Sequence, residues 1–136
     1  MFLLHVADIS LFVFHTALVL FNCLGWIWAR TRRWHLGTLG ATAASWFILG
    51  IWFGPGYCLC TDLHWRVRTA LGEKITEQGY IQYLVARLTG WRPDAQFASN
   101  VTAAIFVVVL ILSVWLNVRD WKIRKASTSA AEEHPK

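Results

Sequence analysis

Charge is what this sequence has least of. Asp, Glu, Lys and Arg make up only 15% of its 136 residues; an ordinary soluble domain carries about 25%. That scarcity argues against an ordinary soluble enzyme, and also against a disordered chain, which needs charge and few apolar groups. Three cysteines are too few for a disulfide-dense scaffold. The common soluble chemistries are missing as well. There is no Gly-rich phosphate loop, no G-x-S-x-G, no C-x-x-C and no H-E-x-x-H. No two carboxylates are placed for acid–base work. No internal repeat is visible, and the only low-complexity stretch is the C-terminal tail.

What the chain has instead is apolar side chains, 56% of the total, in three blocks. They span about residues 3–28, 35–53 and 97–118. A helix needs roughly 20 mostly apolar residues to cross a bilayer's hydrocarbon core, and each block has that length. The first resembles a secretory signal in position only. It lacks a basic start and its apolar stretch is too long, so it reads as a retained helix. The nine tryptophans support this reading. Trp26, Trp28, Trp34, Trp52, Trp115 and Trp121 lie at block ends, where an indole can sit at the membrane–water interface. Only Trp46 falls near mid-membrane. The expected architecture is an all-α membrane protein of three transmembrane helices. It forms one domain over residues 1–125, followed by a disordered tail over 126–136.

The placement of basic residues sets the expected orientation. Arg30, Arg32 and Arg33 occupy the short first connection, and Arg119, Lys122, Arg124 and Lys125 follow the third block. The long connection is nearly balanced in charge. Basic residues beside spans stay in the cytoplasm. The expectation is a bacterial cytoplasmic (inner) membrane protein with its N-terminus and residues 54–96 outside and its C-terminus inside. The net charge of +5 then reflects topology and attraction to anionic lipid, and no nucleic acid is needed as a partner.

Residues 54–96 are too many for a structureless loop and read as an outer helical cap. Thr61 or Asp62 can cap a first short helix that Gly72 stops. A second fits Glu77 to Thr89, with Ile81, Leu84, Val85 and Leu88 at helical spacing. Gly90 and Pro93 end it, and Asp94 can cap the third span. Both are amphipathic and fit the membrane surface or the top of the bundle.

Each span carries one polar stripe. His5, Asp8, His15 and Asn22 share a face of the first. His35, Thr38, Thr42 and Ser45 share one on the second. Ser99, Thr102, Ser113 and Asn117 do so on the third. Polar groups facing lipid are costly, so the stripes should meet as an intramembrane polar seam. The plainest use of such a seam is to hold helices together. His15 is expected to bond Thr42 or Ser45. At 1.5 Å rise per residue it lies roughly 15 Å in depth from both His5 and His35. A bis-histidine haem would therefore need two copies of His15 in a symmetric dimer.

Cys58, Cys60, Asp62 and His64 fall within seven residues at the outer mouth, where His5 and Asp8 also arrive. Thiols, imidazoles and carboxylates together can bind zinc or copper. C-x-C-x-x-x-H is no zinc signature, however. An outward thiol pair can be redox-active, although a C-x-C bridge is a small strained ring. In the plain structural reading Cys58 packs, Asp62 caps and His64 sits at the interface.

Several short motifs resemble a known family. They are Ala7-Asp8 through His15 to Val19, Phe21 and Gly25; Trp34-His35-Leu36; and Gly56-Tyr57-Cys58 with Thr61, followed by Tyr80-Ile81 and Tyr83-Leu84. Together, over residues 3–118, they are similar to the small bacterial membrane proteins catalogued as domain of unknown function 2784. This chain departs at Leu59-Cys60, where the family often has Pro-Leu, and at His64, where it often has Glu. The family has no established activity, so the resemblance implies fold and location only, and marks His15, His35 and Cys58.

The first functional expectation is a non-catalytic accessory or interaction protein working with the lipid bilayer, a second copy of itself or another membrane protein. The alternative is an envelope-side metal-, haem- or thiol-redox protein using Cys58, Cys60, His64 and His5.

Overall fold

In the computed structural model, residues 1–133 are described, with side chains through Ser129. Those residues form helices joined by short connections and contain no strand. The elements are α1 (Phe2–Leu24), α2 (Arg32–Ala44), a π-helical turn (Ser45–Leu49), α3 (Gly50–Phe53), α4 (Leu59–Ala70), α5 (Tyr80–Thr89) and α6 (Ala95–Glu133). α2, the π turn and α3 form one rod, Arg32–Phe53. Three rods, Phe2–Leu24, Arg32–Phe53 and Ala95–Ser129, are long and apolar enough to cross a membrane.

Glycines decide where several helices stop. α1 has no Gly or Pro until Gly25, which is needed there for space. A Cβ on it would lie 2.7 Å from the Phe21 carbonyl oxygen and 2.8 Å from the His35 ring. Thr31 Oγ1 donates to the Gly25 carbonyl at 2.7 Å, and Arg32 Nε donates to the Trp26 carbonyl at 3.0 Å. Those bonds turn the chain directly into α2. Gly54, at φ +103°, ends the second rod, and Gly90, at φ +75°, closes α5. Such values suit a residue without a Cβ.

The cap differs from expectation at its helix starts. α4 begins at Leu59 with Cys58 in the cap position, so Thr61 and Asp62 lie inside the first turn. Asp62 pairs instead with Arg66 one turn on, at 2.8 Å. An extended Cys58 leaving the Gly54–Gly56 turn starts the helix early. α5 begins at Tyr80 because Gly79 is extended, three residues after the expected start at Glu77. Asp94 does cap α6, accepting the Phe97 N–H at 3.0 Å. α6 then continues to Glu133, well past Val118. The tail from Ala126, expected to be disordered, is helical to that point; residues 134–136 lie outside the described residues. At 39 residues α6 is roughly 58 Å long, nearly twice a hydrocarbon core of about 30 Å.

α1 packs against α4, α2 against α6, and α5 against α6, with α1 also touching α2 and α6. The interior is small and mixed. Leu39, Tyr80, Tyr83, Ala98, Val109 and Leu116 are buried beside His15, His35, His64 and Ser113. Large apolar groups point outward instead, among them Phe47, Ile51, Trp52, Val108 and Ile111. This is the inverse of a water-soluble bundle, and it suits a chain whose surroundings are lipid.

Candidate functional site

Two polar networks occupy the interior, one at each end. At the end covered by α4 and α5, Asp8 on α1 meets His64 on α4, with Oδ1 and Nε2 2.8 Å apart. His64 is fully buried, with Trp65, Tyr80 and Tyr83 around its ring. Two turns along α1, on the same face, His15 Nε2 lies 3.7 Å from Cys58 Sγ. The His15 ring stacks on Tyr80 at 3.7 Å and 21°. Tyr80 donates its hydroxyl proton to the Phe12 carbonyl at 3.0 Å, which leaves Thr16 Oγ1 to donate to Tyr80 at 2.8 Å. Burial holds the Tyr80 phenol above its ordinary range, so it stays neutral. One tyrosine thus stands between two imidazoles and pins α5 to α1.

His15 Nδ1 and His64 Nδ1 are both buried without a hydrogen-bond partner. A His64 that donates from Nε2 to an ionised Asp8 leaves Nδ1 as a bare lone pair. His15 does the same if its Nε2 proton faces Cys58. In the reverse sense, His15 Nε2 accepts a hydrogen bond from the Cys58 thiol and carries its own proton on Nδ1. Among the described residues no carboxylate meets His15 Nδ1, so the pair has no third member.

The four residues expected to form a metal or redox set are divided. Cys58 goes to His15 and His64 goes to Asp8. Cys60 lies beside Cys58; burial, then the Cys58 neighbour, push its thiol above the ordinary range. His5 faces outward. Cys58 and Cys60 are free thiols. Among the described residues, no three His, Cys, Asp or Glu side chains gather closely enough to hold a metal ion. The hydroxyls expected to partner His15 are engaged elsewhere. Thr42 accepts from Asn22 Nδ2 at 3.0 Å, and Ser45 Oγ donates to the Tyr57 carbonyl at 3.0 Å. His15 instead turns to the cap, because α4 descends along α1.

The second network lies at the opposite end. His35 is fully buried, with Nδ1 2.9 Å from Ser113 Oγ and Nε2 2.9 Å from the Asn22 carbonyl. Phe21 packs edge-on against its ring. Asn117 Nδ2 donates to the carbonyls of Ser113 and Arg32, at 2.8 and 3.1 Å. Arg32 pairs with Asp120 at 2.8 Å. Here residues from all three stripes meet. Ser99 is exposed, and Thr102 bonds back to the Ala98 carbonyl within α6.

Sequence reasoning missed the roles of Tyr80, Tyr83, Arg68 and Arg87. Arg68 lies over the Tyr83 ring at 4.4 Å and the Trp65 ring at 5.5 Å. Arg87 lies over Phe12 at 4.7 Å and donates to the Tyr83 hydroxyl. The spacing of Tyr80, Tyr83 and Arg87 at i, i+3 and i+7 marks one helix face; that signal was available.

No curated protein and no solved structure is similar enough to match the chain. A family model does match, that of the family described as Protein of Unknown function (DUF2784), over residues 5–118. The match runs from within α1 into α6 and takes in the whole cap-end cluster and the His35 pocket. The chain therefore belongs to the domain of unknown function 2784 family.

Proposed function

We propose that the chain is a multi-pass protein of the bacterial cytoplasmic membrane serving as a non-catalytic accessory or interaction protein. In this reading the N-terminus and the α4–α5 cap face outward, and the far end of α6 faces the cytoplasm. One observation carries it: polar side chains at the His35 end pair with one another across helices, while the outer faces are broad and apolar. His35–Ser113, Asn22–Thr42 and Arg32–Asp120 hold the rods together. Phe47, Ile48, Ile51, Trp52 and Phe53 on the second rod are more than half exposed, a flank for lipid, a second copy or another membrane helix. The orientation is supported by Arg30, Arg33, Arg119, Lys122 and Lys125 near the His35 end.

Photo-crosslinking in cells tests the role. A cross-linker at Ile51 should capture one stoichiometric membrane protein or a second copy, and one at Val108 on α6 should not. Lipid alone at both sites would overturn the proposal. Thiol labelling tests the orientation. Cys60 that reacts only after lysis, although reduced, would reverse it.

The second reading, an envelope-side metal, haem or thiol-redox protein, is favoured by the contact between Cys58 Sγ and His15 Nε2. Of its branches, the pair fits thiol chemistry best, because only two candidate ligands meet there. Metal analysis and a visible spectrum, repeated on Cys58→Ser and His15→Ala, decide the matter. A colourless, metal-free protein without a labile disulfide would sink this reading.

A further inference from the structure

Beside the tyrosine cluster, α4, α5 and the segment entering α6 enclose a cleft of about 330 Å³. Arg68, Glu77, Tyr83, Arg87, Gly90 and Arg92 line it. Three guanidiniums face one carboxylate there. Arg68 forms the sheltered part, with its side chain 12% exposed; Arg87 and Arg92 are exposed at the mouth.

The geometry points to this cleft as a binding site for a phosphate group, carried by an anionic phospholipid headgroup or by a soluble phosphate. Three observations converge on it. First, Arg68 uses Nε and Nη2 on Glu73, but its Nη1 is buried with no partner. A buried N–H without an acceptor is costly, and this one belongs to a residue lining the cleft. Second, Arg68 and Arg87 both sit against the Tyr83 ring, at 4.4 and 5.8 Å. Arg68 is already paired with Glu73 and Arg87 is not, so an anion at that ring meets one uncompensated guanidinium beside the open Nη1 of the other. Third, neither Arg87 nor Arg92 has a carboxylate within ion-pair distance among the described residues.

The number of guanidiniums selects the ligand chemistry. One bidentate arginine satisfies a planar carboxylate. A tetrahedral phosphate has oxygens for two or three forks at once. The cleft volume is at the lower end of small-ligand sites, enough for a phosphate with a short glycerol-like substituent. Its sequence flanks are apolar and exposed: Leu88, Trp91 and Phe97. An indole beside a cationic cleft is what a bilayer's headgroup layer favours. This site is independent of the accessory role proposed above and of which way the chain faces.

The test uses the full chain in a phosphate-free detergent, followed by phosphorus NMR. Short-chain phosphatidylglycerol, inorganic phosphate and short-chain phosphatidylcholine are titrated separately. Phosphatidylglycerol should bind saturably and more tightly than phosphatidylcholine, whose choline the arginines repel. Binding by phosphatidylglycerol alone assigns a lipid source, and binding by inorganic phosphate alone assigns a soluble one. Arg87→Gln and Arg92→Gln should each weaken binding about tenfold, the loss of one charge-assisted hydrogen bond. Glu77→Gln should tighten it about threefold by removing the one opposing charge in the lining. That gain cannot arise from misfolding. Failure of both anions to saturate would overturn the proposal, as would affinities that all three substitutions leave unchanged.

Discussion

His35 and His64 are both fully buried imidazoles held between membrane-length or cap helices, yet they are used differently. His35 has both ring nitrogens matched, one to the Ser113 hydroxyl and one to the Asn22 carbonyl. His64, and His15 beside it, each leave Nδ1 without a partner. The first pattern is closed: every strong polar atom of the ring is consumed in joining three rods. The second is open. It joins α1 to the cap through Nε2 alone and keeps a lone pair inside an aromatic cage. A histidine that only glues helices looks like His35. The cap-end pair glues and retains unused bonding capacity, which is where chemistry or ligand binding would begin.

The largest expected effect tests the closed end. His35→Ala removes both hydrogen bonds and opens a cavity, and should destabilise the protein by about 4 kcal/mol, read from unfolding in detergent by circular dichroism. A loss no greater than that of His15→Ala would erase the contrast between the two ends. Next, His64→Ala strands the Asp8 carboxylate and should cost about 3 kcal/mol. Adding Asp8→Ala should recover part of that loss; strictly additive losses would mean the pair is not coupled.

Gly25→Ala should cost about 2 kcal/mol, since its Cβ would strike the Phe21 carbonyl and the His35 ring in a tightly packed turn. An unchanged midpoint would show that the His35 pocket yields to an added methyl group. The smallest effect is at Cys60, whose thiol burial and the Cys58 neighbour raise. Folding favours the neutral thiol there, so its contribution to stability is complete below the ordinary thiol pKa. It is lost as the pH rises through the folded value. Alkylation of folded Cys60 by a neutral maleimide should therefore accelerate only at more alkaline pH than for a free thiol. Cys58→Ser should move that profile back toward ordinary values. A profile identical to a free thiol would place Cys60 in water.

The three rods were legible because an apolar run of membrane length is too hydrophobic to be buried within so short a chain. The closed end was legible too. Asn22, His35, Ser113 and Asn117 lie at one level on the facing polar stripes, and they meet. The open end was not. Helical rise placed His15 deep and alone, but the turn after the second rod carries Cys58 down to it, and α4 starts there and runs back along α1 to bring His64 to Asp8. How far a cap descends beside a span depends on tertiary packing, which spacing does not encode. The start of α4 was misplaced for a related reason. Thr61 and Asp62 are good capping residues by type, but the Gly54–Gly56 turn delivers the chain already extended at Cys58. Tyr80 and Tyr83 entered only through the family resemblance, outside the Ile81, Leu84, Val85 and Leu88 stripe, and their hydroxyl partners, Phe12, Thr16 and Arg87, became visible only in the fold.

The π-helical turn at Ser45–Leu49 has a genetic consequence. Such a turn holds one residue more than the α-helix it interrupts, as a one-codon insertion would leave it. Upstream, His35 and Thr42 keep the phase that faces the other rods. Downstream, Gly50 keeps the phase that lets the exit turn approach, a Cβ there lying 3.6 Å from Pro55. Deleting one residue within the turn would restore a regular helix and leave both flanks in nearly the same phase, whereas deleting one from the regular α-helix before it would swing everything after by about 100°. One-residue deletions should therefore be tolerated within the π turn and rejected in the α2 stretch before it, between His35 and Thr42, although both stretches read simply as helix.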